Sequence, residues 1–363
     1  RSEEVFKLVF AKEAGEKIDL NHYDQVIADA VQTVVRKQTD VGVDVVSDGE
    51  QSKISYATYI KHRLNGFDGD SPRRTPKDLE EYPAFSKRAS SSGGVPTYSR
   101  PQCVGPISVK DLKPLEVDLQ NFKDALSVSE ATDAFMNAAS PGVIAQFQPN
   151  QHYPDHSSYL YALADAMKVE YEGIAEAGLV IQIDSPDLAL GRHVLFKDQS
   201  DEEFVAMAEF HIEALNHALQ NIPAEQLRLH VCWGNYQGPH HCDIEMKKIL
   251  PAVLKAKPMA LSFEGANPRH SHEWSVFRDA KIPENKVLIP GVLDSTTNFV
   301  EHPELVAERI CRFADIVGRE RVIAGSDCGF STFAGFGTVD ADITYAKLGS
   351  LVRGAEIASE RLW

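Results

Sequence analysis

The sequence predicts an α/β protein that folds as a (β/α)8 TIM barrel. Short runs of β-branched and apolar residues alternate with longer segments of helical periodicity, which is the pattern of an α/β fold. The runs lack the alternation of polar and apolar residues that a half-exposed strand shows, as expected for parallel strands that are buried on both faces. Almost every run ends in a functional side chain, and a barrel collects the carboxyl ends of all its strands at one mouth.

Seven runs are predicted to be strands, namely 43–50, 142–147, 179–186, 227–232, 259–264, 287–292 and 321–329. Helical periodicity is clearest in the segments 22–42, 158–177, 201–221, 303–317 and 340–359. The stretch 103–109 fits neither class clearly. The sequence contains no GxGxxG or GxxxxGK[ST] phosphate-binding turn, which disfavours a doubly wound open sheet. Because the chain opens on a helix and seven strands are recognised, we expect the first barrel strand upstream of residue 1.

One domain is predicted over residues 1–363, a single catalytic barrel. The segment 68–101 is rich in proline, serine, glycine and charged residues. This composition is typical of a long surface segment. We interpret it as an inserted excursion over the barrel mouth rather than as a linker between two domains.

Composition excludes several classes of partner. The formal net charge is −16, which argues against binding of nucleic acid or of an anionic membrane surface. No apolar run approaches the ~18–20 residues that span a bilayer. The cysteines are few, odd in number and scattered, unlike a secreted disulfide framework, and this pattern favours the reducing cytoplasm.

Metal-ligand residue types close three of the predicted strands. His230 and Cys232 are two positions apart at a strand end, so both side chains point the same way. Cys328 closes the last strand, and Glu264 closes a strand between them. Two thiolates, an imidazole and a carboxylate suit Zn2+ in number and softness. A buried cysteine is more often an inert small apolar residue, so the residues alone leave both interpretations open.

Segments along nearly the whole chain are similar, in the same order, to those of one family. They read FKLVFAKEAGEKIDLNHYDQVIADAV, GVDVVSDGEQSKISYATYIKHRLNGFDG, LVIQIDSPDL, HVC, SFE, PGVLD and SDCG. The chain thereby resembles the catalytic barrel of the cobalamin-independent methionine synthases. The resemblance implies a cytoplasmic, zinc-dependent transferase that activates a substrate thiol as its thiolate. The thiolate would attack a methyl or alkyl donor, so a small thiol and an alkyl donor are the expected partners.

The resemblance also implies roles for individual residues. The zinc ligands of the family correspond here to His230, Cys232, Glu264 and Cys328. The carboxylates that hold the amino group of the thiol substrate correspond to Glu50 and Asp184. Because a carboxylate is the least soft ligand, Glu264 is expected to loosen when the substrate sulfur arrives.

Three further residues are assigned near these ligands. Asp294, the acid of the matching PGVLD segment, is assigned to catalysis together with Glu264. Trp233 and Tyr236 follow the HVC segment and are assigned to the wall of the substrate pocket, although core packing is an equal alternative for Trp233.

Three departures from the family leave the alkyl donor open. Ser295 and Thr296 stand where family members carry a histidine. The segment 141–150 replaces the family's GPVT segment, and DSPD at 184–187 replaces its DEP. Thiol activation is unaffected by these changes, but methylfolate, a methylcorrinoid or an epoxide each fit as the donor. An epoxide-opening transferase of the coenzyme M type is therefore a direct alternative.

Other interpretations stay open beside this one. Zinc could activate water in a lyase or hydrolase, although thiolate ligands leave less Lewis acidity for that role. A zinc-holding or corrinoid-binding protein without enzymatic activity is a third class, and a homodimer and a corrinoid protein stay open as partners. For the HisHisCys run at 240–242, a loop is favoured over a second metal site. For Arg269, His270 and His272, an anion site and a surface loop are both retained.

Overall fold

The computed structural model describes residues 1–92, 98–335 and 337–363. Its strands are β1 (Val45–Ser47), β2 (Leu64–Asp68), β3 (Gln102–Val109), β4 (Asp133–Ala139), β5 (Val180–Asp184), β6 (Leu227–Val231), β7 (Ala260–Phe263), β8 (Val287–Leu293) and β9 (Gly325–Ser326). Seven of them form one curled parallel sheet in the order β1-β4-β5-β6-β7-β8-β9. The predicted barrel architecture is confirmed, while the expected strand upstream of residue 1 stays a prediction.

The helices lie between and around these strands. They are α1 (Glu3–Glu13), α2 (Leu20–Asp40), α3 (Lys77–Glu80), α4 (Pro83–Ser92), α5 (Lys113–Ser127), α6 (Pro141–Phe147), α7 (His156–Glu176), α8 (Gly191–Val194), α9 (Asp201–Ala218), α10 (Met246–Val253), α11 (Trp274–Asp279), α12 (Pro303–Val317) and α13 (Ala341–Leu362). Short 3-10 turns occur at Thr58–His62, Pro186–Leu188, Ala224–Gln226 and Arg319–Arg321. The five predicted helical segments are confirmed as α2, α7, α9, α12 and α13.

Local sequence explains where these helices begin and which face they bury. Asp19 accepts hydrogen bonds from the first backbone N–H groups of α2, which is the role of an N-cap. The helix then buries Tyr23, Ile27, Val31 and Val35, a stripe with a spacing of four residues. This stripe packs into the core that lies between the helices and the sheet.

The predicted strand at 142–147 is wrong, because these residues form α6. Ser140 accepts a hydrogen bond from the backbone N–H of Val143 at 3.0 Å, and Pro141 occupies the first helical position. Both residues favour a helix start. The strand of this unit is β4, which ends at Ala139, directly before Ser140. Its sequence DAFMNAA has alanine and asparagine where strands prefer β-branched residues, so its pattern is weak.

The ambiguous stretch 103–109 is a strand, but it lies outside the parallel sheet. β3 pairs with β2 in an antiparallel ribbon. The register shifts at Gly66, whose φ of 97° and close approach to the carbonyl oxygen of Gly105 both require glycine. The segment 68–101 connects β2 to β3 and contains α3 and α4. Residues 93–97 of that segment lie outside the described residues.

Candidate metal centre

Three buried side chains with metal-ligand atoms converge at the carboxyl ends of the strands. His230 belongs to β6, Cys232 follows it directly, and Cys328 follows β9. One ligand atom from each lies within 4.8 Å of the others. The two sulfur atoms are 3.3 Å apart, and all three side chains are buried. The pairing of β6 with β7, β7 with β8 and β8 with β9 brings residues 96 positions apart in sequence into this group.

Glu264 lies at the side of this group and is held there by two donors. Its Oε1 accepts a hydrogen bond from the backbone N–H of Trp233 at 2.7 Å and lies 3.7 Å from the sulfur of Cys328. Its Oε2 accepts a hydrogen bond from the side-chain amide of Asn267 at 2.8 Å. The carboxylate is therefore oriented before any ligand arrives, within reach of the thiols.

Two residues behind the group fix its position. Asp327 accepts hydrogen bonds from the backbone N–H groups of residues 265, 266 and 267, at 2.7 to 2.8 Å, and so pins the loop that carries Glu264. The Oγ of Ser262 lies 3.2 Å from Nδ1 of His230. A partner on one ring nitrogen sets the tautomer and leaves the other nitrogen for a metal. Sequence reasoning missed Ser262 and Asn267, because neither belongs to a local motif.

The charge states of the group suit a divalent cation. Burial lowers the pKa of His230 to about 4, so the ring is neutral and has a free lone pair. A hydrogen bond with the thiol of Cys328 favours the thiolate form of Cys232. Burial and the nearby carboxylate of Glu264 outweigh this effect and raise the pKa of Cys232. The neighbouring thiol and burial raise the pKa of Cys328 well above its usual value. Two buried thiols beside a carboxylate resist ionisation unless a cation balances their charge.

The two predicted substrate-binding carboxylates, Glu50 and Asp184, are also buried. Glu50 has φ 50°, a backbone conformation that is costly for a residue other than glycine and is concentrated at functional sites. Asp48 stabilises this turn by accepting the N–H of Glu50 at 3.0 Å. Burial raises the pKa of Glu50 and of Asp184, and for Glu50 the nearby charge of Asp184 adds to the effect.

A buried lysine and an asparagine link the two acids. The Nζ of Lys53 lies 3.2 Å from Oε1 of Glu50 and donates to the backbone oxygen of Asn137 at 2.8 Å. The side-chain amide of Asn137 donates to Asp184 at 2.9 Å. The positive charges of Lys53 and Arg1 act on Glu50, and those of Lys53 and Arg228 act on Asp184, so buried cations partly balance the two carboxylates.

The acid pair is adjacent to the metal-ligand group. Asp184 and His230 are register partners on the neighbouring strands β5 and β6. Tyr56 lies beside both groups: burial and the nearby Cys232 and Asp184 raise the pKa of its phenol. Its ring packs edge-on against Phe147 and Phe333, with centroids 5.6 and 5.3 Å away. A ligand that contacts one group is therefore within reach of the other.

The remaining assigned residues have well-defined surroundings. The side chain of Trp233 is fully buried, donates to the backbone oxygen of Ile244 at 2.6 Å and packs on His270. Its assignment to the substrate pocket stays a prediction. The hydroxyl of Tyr236 donates to Asp78 at 2.8 Å.

Asp294 is buried and organises the loop that follows β8. It accepts hydrogen bonds from the backbone N–H and the hydroxyl of Thr296 and from the hydroxyl of Thr297, each at 2.8 Å. A turn of this kind is what an aspartate commonly forms with residues two and three positions later. Its assignment to catalysis stays a prediction.

Two histidines near Glu264 are already paired with carboxylates of the protein. His270 is held between Asp243 and Glu273 at 2.9 and 2.8 Å. Burial opposes its charge, but these carboxylates outweigh burial and raise the pKa of His270 to about 10. His270 is thus already paired within the protein. His240 is likewise paired with Asp243, at 2.9 Å.

Fold and site together define a TIM-barrel protein with one histidine and two cysteines placed together, as a metal site would require, at the carboxyl ends of its strands. The family model of the cobalamin-independent synthase catalytic domain matches residues 143–355, more than half of the chain. The chain belongs to this family, as its sequence resemblance indicates.

Relatives and solved structures agree with this assignment. The chain is 27% identical over 351 residues to a methionine synthase of Saccharolobus solfataricus, covering 95% of this chain and 88% of that protein. It is 25% identical to a methionine synthase of Sulfurisphaera tokodaii, covering 95% and 86%. Its fold is similar to a B12-independent methionine synthase from a Shewanella species in complex with selenomethionine, with a TM-score of 0.72, 20% identity and coverage of 96% and 92%. Among the described helices, none combines the length and apolar character needed to cross a bilayer.

Proposed function

We propose that this chain is a zinc-dependent methyltransferase that transfers a methyl group to the thiol of homocysteine. The observation that carries the proposal is the group His230, Cys232 and Cys328 beside Glu264, one strand away from a buried acid pair. The family assignment and the names of the relatives support methionine as the product.

The residues of the group fit a zinc ion. His230, Cys232 and Cys328 would hold it, with Glu264 as the fourth ligand, and this donor set matches the softness of Zn2+. When bound, zinc supplies the positive charge that turns a substrate thiol, with an ordinary pKa of ~8.5, into a thiolate at neutral pH.

The acid pair provides a binding site for the substrate's ammonium group. Glu50 and Asp184 are both buried, and each has a pKa raised by desolvation. An ammonium group between them would offset their repulsion and would have carboxylate acceptors on two sides. Because Asp184 is the register partner of His230, an amino acid anchored there extends its side chain toward the cysteines.

The rings of Tyr56, Phe147 and Phe333 contact one another beside the acid pair. Tyr56 itself lies near both Cys232 and Asp184, so this cluster places apolar surface beside both groups and would limit the access of water. Exclusion of water strengthens both the ammonium–carboxylate contacts and the nucleophilicity of a thiolate.

A direct assay identifies the methyl donor. Ser295 donates to the side chain of Asn235 at 2.8 Å, and Thr296 is bound to Asp294, so both positions are engaged in loop structure. Zinc-loaded protein is incubated with homocysteine or coenzyme M, each crossed with methyltetrahydrofolate, methylcobalamin and a small epoxide. We expect methionine from homocysteine and one methyl donor. A methylcobalamin requirement would make a corrinoid protein the partner.

Variants connect the activity to the site. Cys328→Ser should abolish methyl transfer and the tightly bound zinc, whereas Cys311→Ser, a cysteine on α12 away from the group, should retain both. Thiol alkylation by the epoxide alone would replace the proposal with the epoxide-opening alternative. If no thiol is consumed with any donor while zinc is bound stoichiometrically, a zinc-holding protein is the correct interpretation.

A further inference from the structure

A second group of metal-ligand side chains lies on the surface beside the mouth. Glu81 belongs to the 68–101 segment, whereas His241 and Cys242 belong to the loop after β6. Their ligand atoms lie within 4.8 Å of one another. Nε2 of His241 is 2.6 Å from one oxygen of Glu81, and the sulfur of Cys242 is 3.9 Å from the other oxygen. Residues 160 positions apart in sequence therefore meet as one oxygen, one nitrogen and one sulfur donor.

The loop that carries His241 and Cys242 is held in place by the contacts of the preceding residue, His240. The ring of His240 stacks on Tyr236 with centroids 4.3 Å apart and bonds to Asp243 and to the backbone oxygen of Tyr236, each at 2.9 Å. His240 has φ 54°, so the chain turns sharply immediately before His241. With His240 anchored inward, the next two residues stand at the surface.

The other side is anchored by Asp78. This buried carboxylate accepts hydrogen bonds from the hydroxyl of Tyr236 at 2.8 Å and from the backbone N–H of His240 at 2.9 Å. α3 begins one residue before Asp78, and Glu81 lies directly after α3. The ring of Tyr82 packs edge-on against His241 at 5.5 Å. The inserted segment and the loop thus meet at a buried contact, and Glu81 is positioned by it.

We propose that Glu81, His241 and Cys242 bind a second divalent transition-metal ion of the zinc class, which ties the inserted segment to the loop that follows Cys232. A thiolate, an imidazole and a carboxylate are the donor types that zinc accepts, whereas Mg2+ and Ca2+ prefer oxygen ligands throughout. Three protein ligands leave a position for water, and the exposure of Glu81 and His241 makes the ion exchangeable.

The surrounding charge agrees with a cation at this position. Burial and the carboxylates of Glu81 and Asp78 outweigh the opposing charge of Lys77 and raise the pKa of Cys242, so its thiol is neutral until a metal binds. Binding of the metal would release the thiol proton and replace the hydrogen bond between His241 and Glu81 with two metal–ligand bonds. The net charge of −16 further favours the uptake of a cation.

Metal counting on the full chain tests the proposal. Protein equilibrated in a zinc buffer and freed of excess metal is analysed by mass spectrometry for zinc per chain. We expect two zinc ions in the wild type, one in Cys242→Ser and in His241→Asn, and two in the control Cys311→Ser. One zinc in both wild type and Cys242→Ser overturns the proposal, and so does a second zinc that survives both substitutions.

The test is independent of the proposed function. In Cys328→Ser, which lacks the buried centre, one exchangeable zinc should remain and should disappear when Cys242→Ser is added. Amide hydrogen exchange in residues 77–84 provides a second readout, because a metal bridge slows the opening of this segment. Zinc should slow exchange in the wild type and leave Glu81→Gln unchanged. Equal protection in both proteins would contradict a metal bridge at Glu81.

Discussion

Asn267 is the residue through which the orientation of Glu264 can be tested without removing a metal ligand. Its side-chain amide donates to Oε2 of Glu264 at 2.8 Å and to Asp327 at 3.0 Å. Asn267→Ala removes both bonds and leaves two buried carboxylates with one donor fewer each. It also removes the acceptor of the backbone N–H groups of Arg269 and His270, which bond to Oδ1 of Asn267 at 3.0 Å. Hydrogen bonds to charged groups contribute about 1.5–3 kcal/mol.

The expected effect on zinc follows from this loss. Removal of a group that orients a metal ligand typically weakens metal binding by about 10–100-fold, which corresponds to about 1.4–2.7 kcal/mol. Competition between the apo-protein and a chromophoric chelator measures the zinc affinity directly. We expect Asn267→Ala to fall within this range, with methyl transfer reduced at subsaturating zinc and partly restored by added zinc.

Asn216→Ala is the matched control. Asn216 lies on α9, and its side chain likewise binds backbone groups of another segment, donating to the oxygen of Lys255 and accepting from the N–H of Lys257. This variant should lose some stability and keep its zinc affinity. If Asn267→Ala loses stability as Asn216→Ala does but binds zinc as tightly as the wild type, Asn267 does not orient a zinc ligand.

Three further predictions address the acid pair, a buried ion pair and the packing of the site. Glu50→Gln should keep its zinc and weaken binding of homocysteine by about 10–100-fold, through the loss of a charged acceptor. A thiol that lacks the amino group should bind the wild type and the variant with equal affinity. An equal loss of affinity for both thiols would refute an ammonium site. The pKa of His270 in the folded state is about 10 against an ordinary 6.5, so the stability from its charge is complete below pH 6.5 and is lost as pH rises toward 10. In urea unfolding of the metal-free protein, the free energy of unfolding should therefore fall more steeply with pH in the wild type than in His270→Gln. The same dependence on pH in both proteins would contradict the pairing. In Gly291→Ala the new Cβ would lie 2.0 Å from Oδ1 of Asp327, so the free energy of unfolding should fall by at least about 1–3 kcal/mol, whereas Gly349→Ala, with nothing within 4 Å, should cost nothing.

The sequence predicts the barrel well because its two strongest patterns are local. The stripe of α2 and the apolar runs of β5 and β6 are visible within single segments. β4 is missed and α6 is misassigned for one reason. The most apolar, β-branched part of that unit lies in a helix that is buried on nearly every side, and composition alone does not separate it from a buried strand.

The metal-ligand group is foreseen because its residues close strands and match a family in order. The residues that hold the metal ligands and the acid pair in position are not foreseen. Asn267, Ser262 and Lys53 are single polar residues whose roles depend on partners brought together by the fold. The contact of Glu81 with His241 joins positions 160 residues apart, and no local pattern of either segment indicates it.

The sulfur count around the bound zinc tests the central claim most directly. X-ray absorption of zinc-loaded Cys242→Ser, in which the surface site is disabled, should show two sulfur ligands from Cys232 and Cys328. Addition of homocysteine should raise the count to three, with the loss of an oxygen ligand as the thiol replaces Glu264. An unchanged sulfur count with saturating homocysteine would contradict thiol activation at this centre.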